Sequence, residues 1–174
     1  FIQGLVMNHH SVTKEIWNKT APIGIIGMGY VGLPLALTFA SRGFTVIGFD
    51  VDKEKVNQLK AGRSYINHIS ENVLSQHITT GQFVPCTDFA KLAGTAAIIV
   101  CVPTPLTGNR EPDLSFVEST AKEIALHLQA GQLVVLESTT YPGCCDNVVK
   151  PLLENSGLTS GTDFYLAYSP ERED

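Results

Sequence analysis

The chain has 174 residues, of which 44% are hydrophobic and 17% charged, and this is the size and composition of one folded domain. Its formal net charge is −5 and it contains no run of Lys or Arg, which excludes nucleic acid as its main partner. The longest apolar stretch, residues 96–102, is much shorter than the roughly 18 to 20 residues that a membrane span needs. We therefore expect no membrane partner.

The first 20 residues show no pattern that belongs to the fold. They mix His, Lys, Glu and Asn and lack the apolar stretch of a signal peptide. We interpret residues 1–20 as a leader, and residues 1–4, which precede the first Met, as a remnant of cloning. The domain itself is predicted in residues 21–174.

From residue 21 onwards, short apolar runs alternate with longer segments of helical period, which is typical of a parallel sheet covered on both faces. Strands are predicted at 23–27, 45–49, 83–86, 96–102, 133–137 and 164–168. Helices are predicted at 30–41, 52–59, 70–79, 113–129 and 144–153, with Ser70 and Asp52 as caps. The pattern predicts an α/β fold of Rossmann type, a doubly wound, mainly parallel six-stranded sheet with helices on both faces.

A glycine motif, G-x-G-x-x-G, joins the first strand to the first of these helices. It consists of Gly27, Met28, Gly29, Tyr30, Val31 and Gly32. In this context the first glycine makes the tight turn, the second admits a pyrophosphate and the third lets the helix pack on the strand. The free N–H groups and the dipole of the helix favour an anion there. We therefore predict that all six residues bind a dinucleotide.

An acidic residue ends the second strand and narrows the choice of cofactor. Asp50 follows Gly27 by 23 positions, near the offset of about 20 at which a carboxylate binds the adenosine ribose. Such a carboxylate repels a 2′-phosphate, so the sequence favours NAD over NADP. Lys55 is expected alongside the ribose, and Asp52 is expected to cap the next helix.

Polar residues follow the fourth and fifth strands, at the topological switch point where ligands bind. Val102, Pro103 and Thr104, at the end of the fourth strand, are predicted to bind the cofactor, with Thr104 facing its ribose. Thr139 and Thr140 follow the fifth strand, and their hydroxyls suit nicotinamide, a positioned water or a sugar-nucleotide diphosphate. They equally suit an ordinary cap of the next helix.

Two charged residues lie after the sixth predicted strand. Glu171 could serve as a general base or hold a water, and Arg172 could pair with a phosphate or carboxylate. Taken without the other motifs, the two residues are interpreted as part of a charged tail with no role in a site.

Four cysteines, at positions 86, 101, 144 and 145, show neither a C-x-x-C motif nor the spacing of a zinc site, so no metal is predicted. Cys101 is expected to be a buried, inert thiol. The absence of a disulfide pattern favours a reduced, cytoplasmic protein.

Together these motifs resemble the nucleotide-sugar 6-dehydrogenases, the UDP-glucose/GDP-mannose dehydrogenase family, and most of all its UDP-N-acetylglucosamine and UDP-N-acetylmannosamine dehydrogenases. The resemblance spans residues 22–174. Five segments carry it, at 25–34, 100–106, 111–114, 137–143 and 169–174.

The resemblance implies oxidation of a sugar C6 alcohol to a carboxylate with two NAD+ and a cysteine-bound thioester. It implies that Thr104 and Thr139 contact the cofactor, that Thr140 places the water and that Glu171 assists proton transfer or hydrolysis. Arg172 is assigned to the substrate, a nucleotide sugar of the UDP-N-acetylhexosamine or UDP-glucose type. Full-length members of the family usually dimerise.

One departure from the family concerns catalysis. Cys144 and Cys145 stand where members commonly carry hydroxyl residues, whereas the family nucleophile lies in a glycine-rich loop farther along the chain. We therefore expect these 174 residues to bind NAD without turning over substrate. Two other hypotheses are a non-catalytic NAD(H)-binding redox sensor and a different hydroxyacid or ketone dehydrogenase.

Overall fold

One parallel sheet organises the chain. The computed structural model describes residues 9–108 and 112–170, and in them the strand order is β3-β2-β1-β4-β5-β6. All five neighbouring pairs are parallel, which is the doubly wound order of dinucleotide-binding folds. The strands are β1 Ile23–Ile26, β2 Val46–Phe49, β3 Phe83–Cys86, β4 Ala97–Val100, β5 Leu133–Leu136 and β6 Tyr165–Tyr168. The predicted fold class is confirmed.

Helices connect the strands across both faces. They are α1 His9–Asn18, α2 Gly32–Ser41, α3 Lys53–Lys60, α4 Glu71–Thr79, α5 Ser115–His127 and α6 Lys150–Glu154, with a 3₁₀ turn at Phe89–Gly94. The predicted helices start up to two residues early, in part because the prediction counted cap residues as helical. Ser70 lies at the N-cap of α4, but within the described part of the chain its side chain makes no capping hydrogen bond. None of the described helices is long and apolar enough to cross a bilayer.

Two elements differ from the sequence prediction. The segment predicted as one helix over 144–153 is a π-helical turn, Cys145–Val149, followed by the short α6. Helix α1 was not predicted, because residues 1–20 were interpreted as a leader. It is followed by Lys19, whose Nζ donates to the Arg42 carbonyl at 2.6 Å and lies 5.4 Å from the centre of the Phe44 ring.

The hydrophobic core is divided by the sheet into two clusters. Successive side chains of a strand point to opposite faces, and along β4 Ile98 belongs to one cluster while Ile99 belongs to the other. The Ile98 cluster includes α5 and α6, and the Ile99 cluster includes α2 and α4. This two-sided burial fixes the register of the sheet, and with it the edge where the strands end.

Gly48 in β2 marks a tight point of the core. A Cβ on Gly48 would lie 2.6 Å from Met28 Sδ and 2.6 Å from the Phe83 ring, whereas a Cβ on Gly24 would meet its nearest neighbour, Phe49, at 3.2 Å. We predict that Gly48→Ala lowers the free energy of unfolding by about 1–3 kcal/mol through overpacking. Gly24→Ala, the matched control, should cost less. Urea unfolding of both variants measures the difference, and equal losses would contradict the prediction.

Candidate functional site

The glycine turn after β1 adopts a backbone that only glycine fits easily. Gly27 has a φ of +94°, and a Cβ there would lie 2.6 Å from the Cys101 carbonyl oxygen. Its N–H donates to the Phe49 carbonyl at 2.8 Å. A Cβ on Gly32 would overlap the Gly27 carbonyl oxygen, so the start of α2 rests directly on the turn. Glycine is therefore required at both positions, because backbone atoms lie too close to admit a Cβ.

The N-terminus of α2 presents backbone donors. No N–H group of residues 29–32 donates to another group among the described residues, as is usual for the first turn of a helix. A Cβ on Gly29 would meet nothing within 4 Å, so the surface above the turn is open. Bare amides at the positive end of a ten-residue helix form a site for an anion such as a diphosphate.

Asp50 ties the turn to the second strand. Its Oδ2 accepts a hydrogen bond from the Met28 N–H at 2.9 Å, and its Oδ1 accepts one from the Asp52 N–H at 2.9 Å. Lys55 Nζ lies 4.0 Å from Oδ2, and Asp50 is only 8% exposed. Asp52 accepts from the N–H groups of Glu54 and Lys55, which confirms its predicted role as the cap of α3.

Tyr65 supports the same turn, and the sequence analysis missed it. Its hydroxyl donates to the Met28 carbonyl at 2.5 Å, so side chains hold both polar backbone groups of Met28. Burial, together with the nearby charges of Asp50 and Asp52, raises the pKa of Tyr65 and keeps it a donor. The contact spans 37 residues, and no motif around Tyr65 announces it.

The exits of β4 and β5 are joined by two hydrogen bonds. Ser138 Oγ donates to the Val102 carbonyl and Thr104 Oγ1 donates to the Thr139 carbonyl, each at 2.7 Å. Each bond joins a side chain of one exit to the backbone of the other. The two loops therefore form one wall beside the glycine turn.

Two neighbouring clefts lie along this edge of the sheet. The β2 cleft, of about 290 Å³, includes Asp50 and Lys55, and the β5 cleft, of about 440 Å³, includes Thr104, Glu137 and Thr139. Both are comparable in size with known ligand pockets. They share the residues Gly29, Cys101, Val102 and Pro103. The clefts thus form a continuous trough across the switch point between β1 and β4, which suits a ligand with two ends.

The structure brings most of the predicted site residues to this trough. The predicted site residues that line it are Gly27, Gly29, Tyr30, Val31, Asp50, Lys55, Val102, Pro103, Thr104 and Thr139. Met28 and Gly32 are buried and line neither cleft, so both act on the shape of the turn. Glu171 and Arg172 fall outside the described residues. No group of three or more His, Cys, Asp or Glu within the described part is placed to hold a metal ion.

Thr140 is placed differently from Thr139. It lines neither cleft, and its Oγ1 is buried without a hydrogen-bond partner among the described residues. That hydroxyl lies near the Cys144 thiol and lowers its pKa, although no hydrogen bond of acceptable geometry forms. Its backbone is held from β6, because Tyr168 Oη accepts from the Thr140 N–H at 3.3 Å.

The thiols of the adjacent residues Cys144 and Cys145 have raised pKa values. All four cysteines are free. Burial raises the pKa of Cys144 above its ordinary value, with a further rise from Glu118, and this outweighs the opposing effect of Thr140. Burial also raises the pKa of Cys145, as do Cys144 and Asp146. Cys101, expected to be buried, is partly exposed and lies where the two clefts meet.

A comparison with known proteins fits this site. The profile of the "UDP-glucose/GDP-mannose dehydrogenase family, NAD binding domain" matches residues 21–174. The chain belongs to this family. The matched part is its NAD-binding domain, so NAD is the cofactor and the resemblance drawn from the motifs is confirmed.

Several relatives of the chain are named as sugar-nucleotide dehydrogenases. It is 38% identical to UDP-N-acetyl-D-mannosamine dehydrogenase of Pyrococcus horikoshii over 86% of its length and 36% of that protein's. It is 37% identical to UDP-N-acetyl-D-glucosamine 6-dehydrogenase of Salmonella typhi, covering 86% and 35%. The crystal structure of GDP-mannose dehydrogenase from Pseudomonas aeruginosa superimposes with a TM-score of 0.83 at 36% identity, covering 87% and 36%. The chain thus spans about a third of the length of these relatives.

The raised thiol pKa values lead to a test of reactivity. A raised pKa means a smaller thiolate fraction at any given pH, and the thiolate is the reactive form. We predict that Cys145, the more exposed of the adjacent pair, reacts with iodoacetamide more slowly than free cysteine at pH 7.5. Its alkylation rate should rise most steeply with pH at values above about 8.5, the ordinary pKa of a thiol. Mass spectrometry of the time course measures this, and faster alkylation than free cysteine would contradict it.

Proposed function

We propose that NAD lies along the trough, with its adenosine ribose at Asp50, its diphosphate over the glycine turn and its nicotinamide in the β5 cleft. The observation that carries this proposal is the order of groups along one edge. A carboxylate stands at one end, unpaired amides lie in the middle and hydroxyls lie at the other end. That order matches the order of chemical groups in a dinucleotide.

At the ribose end, Asp50 acts as an acceptor. A carboxylate has about four lone-pair positions, and two protein N–H groups use two of them. The remaining positions suit the two ribose hydroxyls, and the negative charge repels a 2′-phosphate. Lys55 lies alongside and limits the charge of the free site.

In the middle, the amides of residues 29–32 hold the diphosphate. Met28 contributes by donating to Asp50, and Gly32 by letting α2 approach the turn. At the far end, Val102, Pro103, Thr104 and Thr139 form the wall beside the nicotinamide, the group that accepts a hydride when bound. The hydrogen bond between Thr104 and Thr139 keeps this wall in one position.

We further propose that the whole protein oxidises the C6 alcohol of a nucleotide sugar to a carboxylate with two NAD+. The names of its relatives support a UDP-N-acetylhexosamine or similar substrate. In this reaction Glu171 assists proton transfer or hydrolysis and Arg172 pairs with the substrate. The family resemblance assigns the water to Thr140, but of the two threonines it is Thr139 that lines the cleft.

The wider setting follows from the same proposal. We propose that the whole protein is a homodimer or larger and works in the cytoplasm, where its four free thiols stay reduced. A non-catalytic redox sensor is the less favoured function, because the matched relatives are named as dehydrogenases.

The cofactor proposal predicts a clear preference in calorimetric titration. NAD+ should bind much more tightly than NADP+. Asp50→Asn should weaken NAD+ binding by about 1–3 kcal/mol, the range for losing hydrogen bonds to a charged group. ADP-ribose should lose as much as NAD+, because Asp50 acts at the adenosine end.

A matched control separates this effect from stability. Asp88, like Asp50, accepts a backbone N–H with its carboxylate, here as the cap of a 3₁₀ turn, but it lines neither cleft. Asp88→Asn should leave NAD+ affinity within about twofold, since no contact with the ligand is lost. Tight NADP+ binding, or unchanged NAD+ binding after Asp50→Asn, would remove Asp50 from the site.

The catalytic proposal makes a separate prediction for the 174-residue chain. It should bind NAD+ but form no NADH with UDP-glucose or UDP-N-acetylhexosamines. Burial raises the pKa of both Cys144 and Cys145, so little of either thiol is present as the reactive thiolate. Absorbance at the NADH band follows the reaction. Turnover at an enzyme-like rate would show that this chain carries its own nucleophile.

A further inference from the structure

Glu137 occupies a position in the β5 cleft that no step of the proposed function uses. It directly follows β5, and its N–H donates to the Val100 carbonyl at 2.9 Å, which continues the strand pairing. Leu133 and Val135 pack in the cluster on the α2 side of the sheet. Alternation along the strand therefore directs Glu137 to that side, where the cleft is also lined by Tyr30 and Val31.

The charge of Glu137 is not compensated by its described surroundings. It is the one acidic or basic residue among the described residues that line the β5 cleft. Within residues 9–108 and 112–170, no ion pair includes its carboxylate. Lys55, the cation of the trough, lines the β2 cleft and lies by Asp50. The β5 cleft thus contains one half-buried carboxylate with no counter-ion among the described residues, and burial reduces the screening of such a charge.

From this we infer that Glu137 makes the site prefer the oxidised over the reduced cofactor. The inference rests on the proposed placement of the nicotinamide in the β5 cleft. The oxidised ring carries a positive charge and the reduced ring is neutral, so a nearby carboxylate stabilises only the oxidised form. Binding energy that differs between the two forms shifts their balance, whereas energy common to both does not.

This preference has a use in the proposed reaction. Two NAD+ are consumed for each sugar, so the first NADH has to leave before the second NAD+ enters the same trough. A carboxylate that stabilises bound NAD+ and leaves NADH unaffected helps NAD+ to compete for the trough with the NADH that the first step produces. Each tenfold preference for NAD+ also lowers the two-electron potential of the bound couple by about 30 mV.

The test compares three ligands on the whole 174-residue chain. Dissociation constants for NAD+, NADH and ADP-ribose are measured by calorimetry for the natural chain, Glu137→Gln and Glu137→Lys. Glu137→Gln should weaken NAD+ by about three- to tenfold, as expected for a partly screened charge. NADH and ADP-ribose should change by less than about twofold, because neither carries the positive ring. Glu137→Lys should lower the preference for NAD+ further.

The control is Glu15→Gln on α1, which removes one negative charge from a residue that lines neither cleft. It should leave the ratio of the NAD+ and NADH constants unchanged. An unchanged ratio in both Glu137 variants, with normal ADP-ribose binding, overturns the inference about Glu137. If the natural chain does not bind ADP-ribose, the placement of the cofactor is overturned instead.

Discussion

The carboxylate of Asp50 is the contact on which the site depends. It accepts one N–H from the glycine turn and one from the start of α3, so it joins the connection between β2 and α3 to a turn that lies 22 residues earlier. Burying a carboxylate is unfavourable unless hydrogen bonds compensate it, and these two bonds do so. Tyr65 completes the arrangement by holding the carbonyl of Met28. The shape of the turn is therefore set by two side chains, one from the residue that follows β2 and one from the α3–α4 connection.

Much of the fold could be predicted because its signals are local. Apolar runs bounded by turn residues located all six strands, and the glycine spacing located the turn, since Gly27 and Gly32 meet backbone atoms that tolerate no side chain. Asp52 was recognisable as a cap from its position before a helix. Errors of one or two residues at the ends arose where pairing stops before the apolar run does, as it does for β4.

Other parts of the site could not be predicted because they depend on contacts between distant residues. The bond from Tyr65 to Met28 spans 37 residues and that from Ser138 to Val102 spans 36. Nothing in the local sequence specifies either pair. The Thr140 hydroxyl is buried beside Cys144, the residue before a π-helical turn that the apolar pattern of 144–153 concealed. Two adjacent hydroxyls of one motif thus face different surroundings.

The joined exits of β4 and β5 have a thermodynamic consequence. Ser138 and Thr104 fix each other's loops, so these segments lose their conformational entropy when the chain folds. Binding to a wall ordered by folding carries a smaller entropic penalty than binding to loops that must be ordered by the ligand. Affinity for the cofactor is therefore coupled to the stability of the β4–β5 pair. A core substitution between these strands can weaken binding although it touches no atom of the ligand.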